Sequence, residues 1–441
     1  MLDIKLIREQ TEQVSAALAK RMGKLDFTQV LDEDQRWRQS QGELEALRSR
    51  RNEVSAQIPK LKKQGQDVQP VFEEMKAVGA QIKELETVAE ELARSVHDFL
   101  AALPNIPDAD VPAGGKENNR TLRSWGEKPT FDFEPKAHVE LLSSLGLIDY
   151  ERGVKLSGSG FWLYRGYGAR LEWALLNYFV SCHLSAGYEF MLPPHLLLPE
   201  CGYTAGQFPK FADDVFYIEQ GNSEKQGDAE KKANADRHFL LPTAETALIN
   251  LHRDEILTEE ELPKKYFAYT PCYRKEAGSY RTEERGTIRG HQFNKVELFQ
   301  YTRPEDSTRA LEELLEQAES VVRGLGLHHQ VTLLAAQDCS AGMAKTLDIE
   351  VWIPSMNQYK EVSSASNARD YQARRGQMRF RRQGQKKPEL MHTLNASGLA
   401  TSRLLPAIVE QFQQADGSVV VPEVLRAWVG TDRLTLPSQK P

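Results

Sequence analysis

The sequence predicts an α+β protein: a long antiparallel two-helix coiled-coil arm, then a larger mixed domain with paired strands. Three observations predict it. Apolar residues between 75 and 103 recur in steps of three and four, which demands a long helix with a partner along its length. Pro104, Pro107 and Pro112 then forbid further helix. Residues 291–301 alternate in polarity, as a strand with one buried face does, and residues 266–273 also read as strand.

The arm comes first. Met75, Val78, Ile82, Leu85, Ala89, Leu92, Val96, Phe99 and Leu103 form the seam. Trp37, Leu44, Leu47, Val54, Ile58 and Leu61 keep a weaker version of it upstream. Between them Lys62–Asp67, with Gly65, is a polar turn, so the helices fold into a hairpin. Pro59 removes a backbone donor and predicts an interruption near the tip. Residues 36–63 carry eight basic side chains (Arg36, Arg38, Arg48, Arg50, Arg51, Lys60, Lys62, Lys63) against three acidic ones (Glu43, Glu45, Glu53). The second helix is acidic. Such charges pair across a hairpin for little gain at an exposed surface, or form a basic stripe for a polyanion read by shape and phosphates.

The expected boundaries are 1–103 for the arm, 104–120 for a stiff Pro-rich linker, 121–430 for the main domain and 431–441 for a tail. In the main domain, residues 168–186 read as helix and 187–194 as strand ending in proline. Residues 219–238 are polar apart from alanines and read as an inserted surface loop, given no function. Two strands then flank a loop holding Arg285, Arg289 and His291, a set suited to phosphate oxygens because arginine binds them bidentately.

Composition narrows the classes. Apolar content of 40% and charged content of 27% are ordinary for a soluble domain, and no run approaches the roughly 18 apolar residues of a membrane span. The four cysteines show no Cys-x-x-Cys spacing, so a reducing, cytoplasmic setting is expected. A net charge of −7 argues against indiscriminate nucleic-acid coating, so DNA is not an expected partner and RNA binding needs a local patch.

Arg274-Lys-Glu-Ala-Gly278 followed by Arg285-Gly-x-x-Arg289-x-His-Gln-Phe-x-Lys-Val-Glu297 resembles motif 2 of seryl-tRNA synthetases, a class II group. Further matches follow in the family's order: Leu241-Pro-Thr-Ala-Glu245, Asp348-x-Glu-Val-Trp-Ile-Pro354, Glu361-Val-Ser-Ser364, Gln372-Ala-Arg-Arg375 and Thr393–Ala400 with Arg403. The resemblance runs from Met1 to about Arg426. It implies a catalytic domain on an antiparallel sheet flanked by helices, a homodimer through the 168–194 unit, and activation of L-serine by ATP before transfer to tRNA(Ser), with tRNA(Sec) as a further candidate.

By that resemblance, Arg274, Arg403 and Glu361 are the catalytic set, with Glu361 holding Mg²⁺. The ATP site comprises Arg274, Lys275, Glu276, Arg289, Phe293, Glu361, Val362, Ser363, Ser364 and Arg403. Serine is held by Thr243, Ala244, Glu245, Arg274, Glu297 and Ser397. The tRNA is held by Arg36, Arg48, Arg50, Arg51, Lys60, Lys62 and Lys63. Taken alone, Thr243 and Glu245 also read as a helix N-cap and a first-turn acid. The sequence departs from the family at Ala396 and Ser402, where glycine is usual, and at Leu347 and Ala368. A side chain at Ala396 or Ser402 would crowd the site if the backbone there needs glycine torsions. Three other readings compete: a second copy serving antibiotic resistance or a biosynthetic pathway, a non-catalytic tRNA-binding paralogue, and a ligase for a carrier protein, which is expected to lack the arm.

Overall fold

A computed structural model describes residues 1–218, 237–276 and 286–436. The chain divides into two compact units, Met1–Ile106 and Pro107–Pro441. In the first, two short helices (Ile4–Glu9 and Thr11–Leu18) precede α1 (Thr28–Lys63) and α2 (Gln69–Ala102). The spacing read from the sequence becomes the seam: Leu44, Val78, Ile82 and Ala89 are buried together, with Trp37, Leu47, Met75 and Leu85 packed on them. Gly65 turns the chain at φ +70°, a torsion costly for other residues. Pro59 does not interrupt α1, which runs through it to Lys63. So close to the helix end, the missing N–H removes one bond from a solvated tip. At the base, buried Asp34 accepts from Arg8 at 2.8 Å and from Arg38 at 3.0 Å.

The second unit is built on one eight-stranded sheet. Its strands are β1 (Arg120–Trp125), β2 (Glu189–Met191), β3 (Lys264–Tyr273), β4 (Gln292–Thr302), β5 (His329–Leu333), β6 (Lys345–Ile353), β7 (Gln358–Arg369) and β8 (His392–Ala400). They lie in the order β1-β5-β6-β7-β8-β4-β3-β2, antiparallel except for the edge pair β3 and β2. The helices α3 (Tyr167–Ser185), α4 (Glu245–Leu248), α5 (Ser307–Gly324), α6 (Tyr371–Arg375) and α7 (Thr401–Gln411) complete the frame.

Side chains alternate across a sheet, and here the alternation separates core from site. On β4 and β8, Val296, Leu298, Leu394 and Ala396 join the core that includes Leu175 and Phe179 of α3, Leu314 of α5 and Leu405 of α7. Lys295, Glu297, Phe299 and Tyr301 take the other face, where Phe299 and Tyr301 join a second cluster with Ala244 and Leu248. A carboxylate at 297 is therefore buried by strand geometry and needs partners there.

Both outer boundaries differ from expectation. The Pro-rich segment is not a stiff extended linker: it turns at Asp108–Val111, forms a short 3-10 helix at Lys116–Asn118, and from Pro107 onward belongs to the second unit. Asp108 N–H donates to Ala344 C=O at 2.9 Å, and Val111 is buried in the main core. Arg433–Leu434, expected in the tail, pairs with Val419–Val420 and buries Leu434. Apolar side chains at 111 and 434 explain both, since each finds more burial on the domain than in water. The polar insertion is rooted in paired ends, with Ile218 N–H donating to His238 C=O at 2.9 Å. Residues 219–236 of that insertion, the stretch 277–285 with Arg285, and the last five residues lie outside the described residues. No described helix is long and apolar enough to cross a membrane.

Candidate active site

Register brings distant segments into one row. Glu297 on β4 lies opposite Ser397 on β8 and Ala268 on β3, while Ala365 on β7 lies opposite Ala396. Beside Glu297 stands Thr243, delivered by the turn into α4. The Thr243 hydroxyl donates to Glu297 Oε2 at 3.2 Å and accepts from Lys295 Nζ at 2.7 Å and from the Glu245 N–H at 3.3 Å. That last bond steadies the turn into α4, but the helix's N-cap is Ala244 and not Thr243, so the capping reading of Thr243 does not hold. Lys295 Nζ also forms a close ion pair with Glu297, whose Oε1 accepts from Asn395 Nδ2 at 3.1 Å. Glu245 accepts from Gln372 Nε2 at 2.9 Å.

Charge decides what this pocket accepts. Two carboxylates face one lysine, an unbalanced charge of −1 when all three ionise. Burial, and then the Glu297 charge, push Glu245 up to about 7. A bound cation would relieve both effects. The pocket suits a small molecule carrying one ammonium and one hydroxyl. Ala244 contributes no side chain to it, because its methyl lies in the second core cluster.

Lys295 is the partner that makes a buried Glu297 tolerable, and it is missing from the residues expected from the sequence. The signal was present: residues two apart on a strand share a face. Lys295→Met should lower unfolding free energy by about 3–5 kcal/mol, because it leaves a buried charge unpaired. Denaturant melts check this, and a variant melting with its parent would contradict it.

A second group of side chains lies further along the row. Arg274 at the end of β3 stacks over the Phe293 ring, 5.2 Å from its centroid, and its Nε donates to Pro242 C=O at 3.2 Å. Among the described residues it has no carboxylate partner. Arg289 pairs with Glu276 at 2.6 Å, and Glu276 sits at φ +51°, a left-handed torsion that is strained for glutamate. Arg403 Nη1, in the first turn of α7, donates to Glu361 C=O at 2.8 Å and to its carboxylate at 3.3 Å. Ser363 Oγ donates to Ser397 C=O at 2.6 Å, which locks β7 to β8 beside the pocket. Val362 is a core residue and offers only backbone. Lys275 stands apart: its N–H donates to Asp214 C=O and its Nζ lies 5.9 Å from the Tyr217 ring.

Asp348 is a further acid that carried no expected role. Ser364 Oγ donates to it at 2.6 Å, and burial followed by the Glu361 charge raises its pKa well above the usual carboxylate range. Asp348 and Glu361 repel each other, and among the described residues only Glu361 has a cation partner, Arg403; carboxylate oxygens of this kind are the ligands a hard divalent cation prefers.

The replaced glycines do not need glycine torsions, the condition on which crowding was expected. Ala396 lies in regular β8, its methyl on the core face away from Glu297, and neither it nor Ser402 has positive φ. Leu347 and Ala368 are likewise buried.

Of the seven arm cations, Arg48 pairs with Glu86 at 2.6 Å, Arg50 pairs closely with Glu74, and Arg36 lies 3.9 Å from Asp32. Arg51, Lys60, Lys62 and Lys63 are exposed toward the tip, and Lys62 stands over the Phe72 ring.

The N-terminal domain of seryl-tRNA synthetases matches residues 1–107, and the class II tRNA synthetase core domain (G, H, P, S and T) matches residues 228–412. The chain is 62% identical to serine–tRNA ligase 2 of Clostridium acetobutylicum, over 98% of this chain and 100% of that one. A seryl-tRNA synthetase from Pyrococcus horikoshii complexed with ATP superposes with a TM-score of 0.90 at 34% identity, covering 99% and 100% of the two chains. The cytoplasmic serine–tRNA ligase of Naegleria fowleri, in complex with AMP, gives 0.85 at 27%, with 99% of each covered. With its arm domain matched and relatives aligned over 98% or more of its length, the chain belongs to the seryl-tRNA synthetase family.

Proposed function

We propose that this enzyme condenses L-serine with ATP to seryl-adenylate, expelling pyrophosphate, and then esterifies tRNA(Ser), releasing AMP. The observation that carries the proposal is the Thr243–Lys295–Glu297–Glu245 pocket opening beside Arg274, an arginine without a carboxylate partner among the described residues. The serine ammonium lies between Glu245 and Glu297, and its hydroxyl meets the polar row of Thr243 and Ser397. Arg274 holds the α-phosphate where charge develops as the carboxylate attacks, and Arg403 holds the departing end of the triphosphate. Phe293 offers a stacking face to adenine, and Glu276 accepts from its amino group. Asp348 and Glu361 would hold Mg²⁺, which supplies neutralisation of the phosphate charge. Adenylate formation requires no general base, because a carboxylate is already a nucleophile.

The pH dependence follows from Glu245. Its raised pKa leaves it largely protonated below about 7 in the free enzyme, whereas the ammonium needs the ionised form. The kcat/KM for serine should therefore rise through an apparent pKa near 7 and level off above it. Pyrophosphate exchange measured from pH 5.5 to 8.5 checks this, and a profile flat through that range would contradict the assignment of Glu245.

A homodimer is part of the same proposal. Trp173 and Leu184 are 57% and 51% exposed on one face of α3, and Leu192 beyond β2 is 74% exposed. Such a run of bare apolar surface fits burial by a second copy. Sedimentation should give the dimer mass, and a monomer at micromolar concentration would overturn it. The arm provides exposed cations for a tRNA read by shape; tRNA(Sec) is a second substrate if it presents the same elongated stem. A second-copy role is a further reading: the relative at 62% identity bears the name serine–tRNA ligase 2, whereas those at 44–46% are plain serine–tRNA ligases. Retained charging in the presence of a serine-mimicking inhibitor distinguishes that role.

A further inference from the structure

Between Ser397 and Ala400 the β8–β4 register slips, and inside the slip Leu399 adopts φ +106°, a region L-residues rarely occupy. This short segment joins the residue opposite Glu297 to the helix that carries Arg403. Such a torsion persists only where neighbours over-determine it. Here one helix does so from both sides. His183 of α3 donates through Nε2 to Gly398 C=O at 2.9 Å, on one side of Leu399. Glu172 of α3 accepts at Oε1 from Thr401 Oγ1 at 2.6 Å, on the other side, and from Asn294 Nδ2 at 2.8 Å.

The arrangement is built for this. Residues 172 and 183 are eleven apart, about three turns, so both point to the same buried side of α3. The His183 tautomer is fixed by its two partners: Gln317 Nε2 donates to Nδ1 at 3.2 Å, which leaves the proton on Nε2 for the Gly398 carbonyl. Burial holds this ring neutral, pushing its pKa down to about 4. Space is equally specified, since a Cβ on Gly398 would stand 2.6 Å from His183 Nε2. Glu172 is buried, which raises its pKa, and a neutral carboxyl still offers the accepting oxygen that Thr401 and Asn294 use.

We infer that His183 and Glu172 are positioning residues for adenylate formation: a clamp from α3 that holds the 398–401 segment so that Ser397 and Arg403 face the same substrate. Neither residue touches substrate. The inference rests on the site proposed above, in which Ser397 and Arg403 flank serine and the triphosphate. The residues next to the clamp on the chain, Trp173 and Leu184, are exposed, so whatever covers that face is one residue along the chain from Glu172 and His183.

The test is steady-state pyrophosphate exchange by the full-length protein carrying His183→Leu, His183→Gln, Glu172→Leu or Glu172→Gln, with Arg403→Ala alongside. Misplacement by about an ångström costs on the order of a hundredfold in kcat. His183→Leu and Glu172→Leu should show losses of that order, with a raised KM for both ATP and serine. The Gln variants keep a donor at 183 and an acceptor at 172 and should recover at least tenfold of the loss. A merely structural role would lower the folded fraction while leaving kcat per folded site and both KM values unchanged. The inference is overturned if His183→Leu exchanges within twofold of the parent at equal folded fraction, as judged by near-ultraviolet dichroism, or if the Gln variants are no better than the Leu ones. Arg403→Ala separates the two levels. If it too is active, the site reading fails; if it is inactive while His183→Leu is normal, only the clamp fails.

Discussion

Replacing Arg274 by alanine should cut serine-dependent pyrophosphate exchange on the order of a thousandfold while leaving the fold intact. The size follows from its place. A preorganised cation at developing phosphate charge is worth on the order of a hundred- to a thousandfold or more, because it acts in a low-dielectric site without reorganisation. The fold is spared because, among the described residues, the guanidinium makes one hydrogen bond to Pro242 C=O and stacks on Phe293. Losing that bond costs about 1 kcal/mol. Arg274→Lys should recover little, since an ammonium lacks the planar fork that stacks on Phe293 while donating to phosphate. Unchanged exchange in either variant would remove Arg274 from the mechanism.

The second large effect lies in the arm. Substituting Arg51, Lys60, Lys62 and Lys63 together by glutamate should raise the KM for tRNA on the order of a hundredfold, because phosphate neutralisation dominates such affinity. The dependence of log affinity on log salt should flatten by about one for each phosphate left without its cation. Serine-dependent exchange, which needs no tRNA, should stay within twofold. These four are chosen because Arg48 and Arg50 already share their charge with Glu86 and Glu74. A tRNA KM unmoved by four reversals would leave the stripe a solvated surface.

Much of this architecture was legible in the sequence, for physical reasons that can be named. The arm read clearly because its seam repeats over many turns; its helices end within two residues of the spacing pattern but begin at Thr28 and Gln69, well before its first apolar residues Trp37 and Met75. The strand at 291–301 read clearly because a two-residue alternation has no helical equivalent, but its expected single buried face was wrong: residues 295–302 are buried on both faces, between the main core and a second cluster. Partnership across strands was harder. Nothing in the local pattern places Gln372 on Glu245, or Asp348 against Glu361, because both depend on register. The clamp residues were invisible for the same reason: a histidine and a glutamate in an amphipathic helix look ordinary until α3 is packed against Gly398 and Thr401. Ala396 erred in the other direction. Its departure from a glycine pattern suggested strain, yet the residue lies in regular strand with its methyl in the core. The ends of the second unit were misjudged because one buried apolar side chain, Val111 or Leu434, outweighs a loop-like composition.

The measurement that tests the whole account most directly is amino-acid-dependent exchange of labelled pyrophosphate into ATP, without tRNA, with serine, alanine, glycine and threonine in parallel. A pocket whose buried polar groups need the substrate hydroxyl should prefer serine over alanine by at least on the order of a thousandfold in kcat/KM. Exchange that serine does not stimulate, or that alanine supports equally, would contradict it.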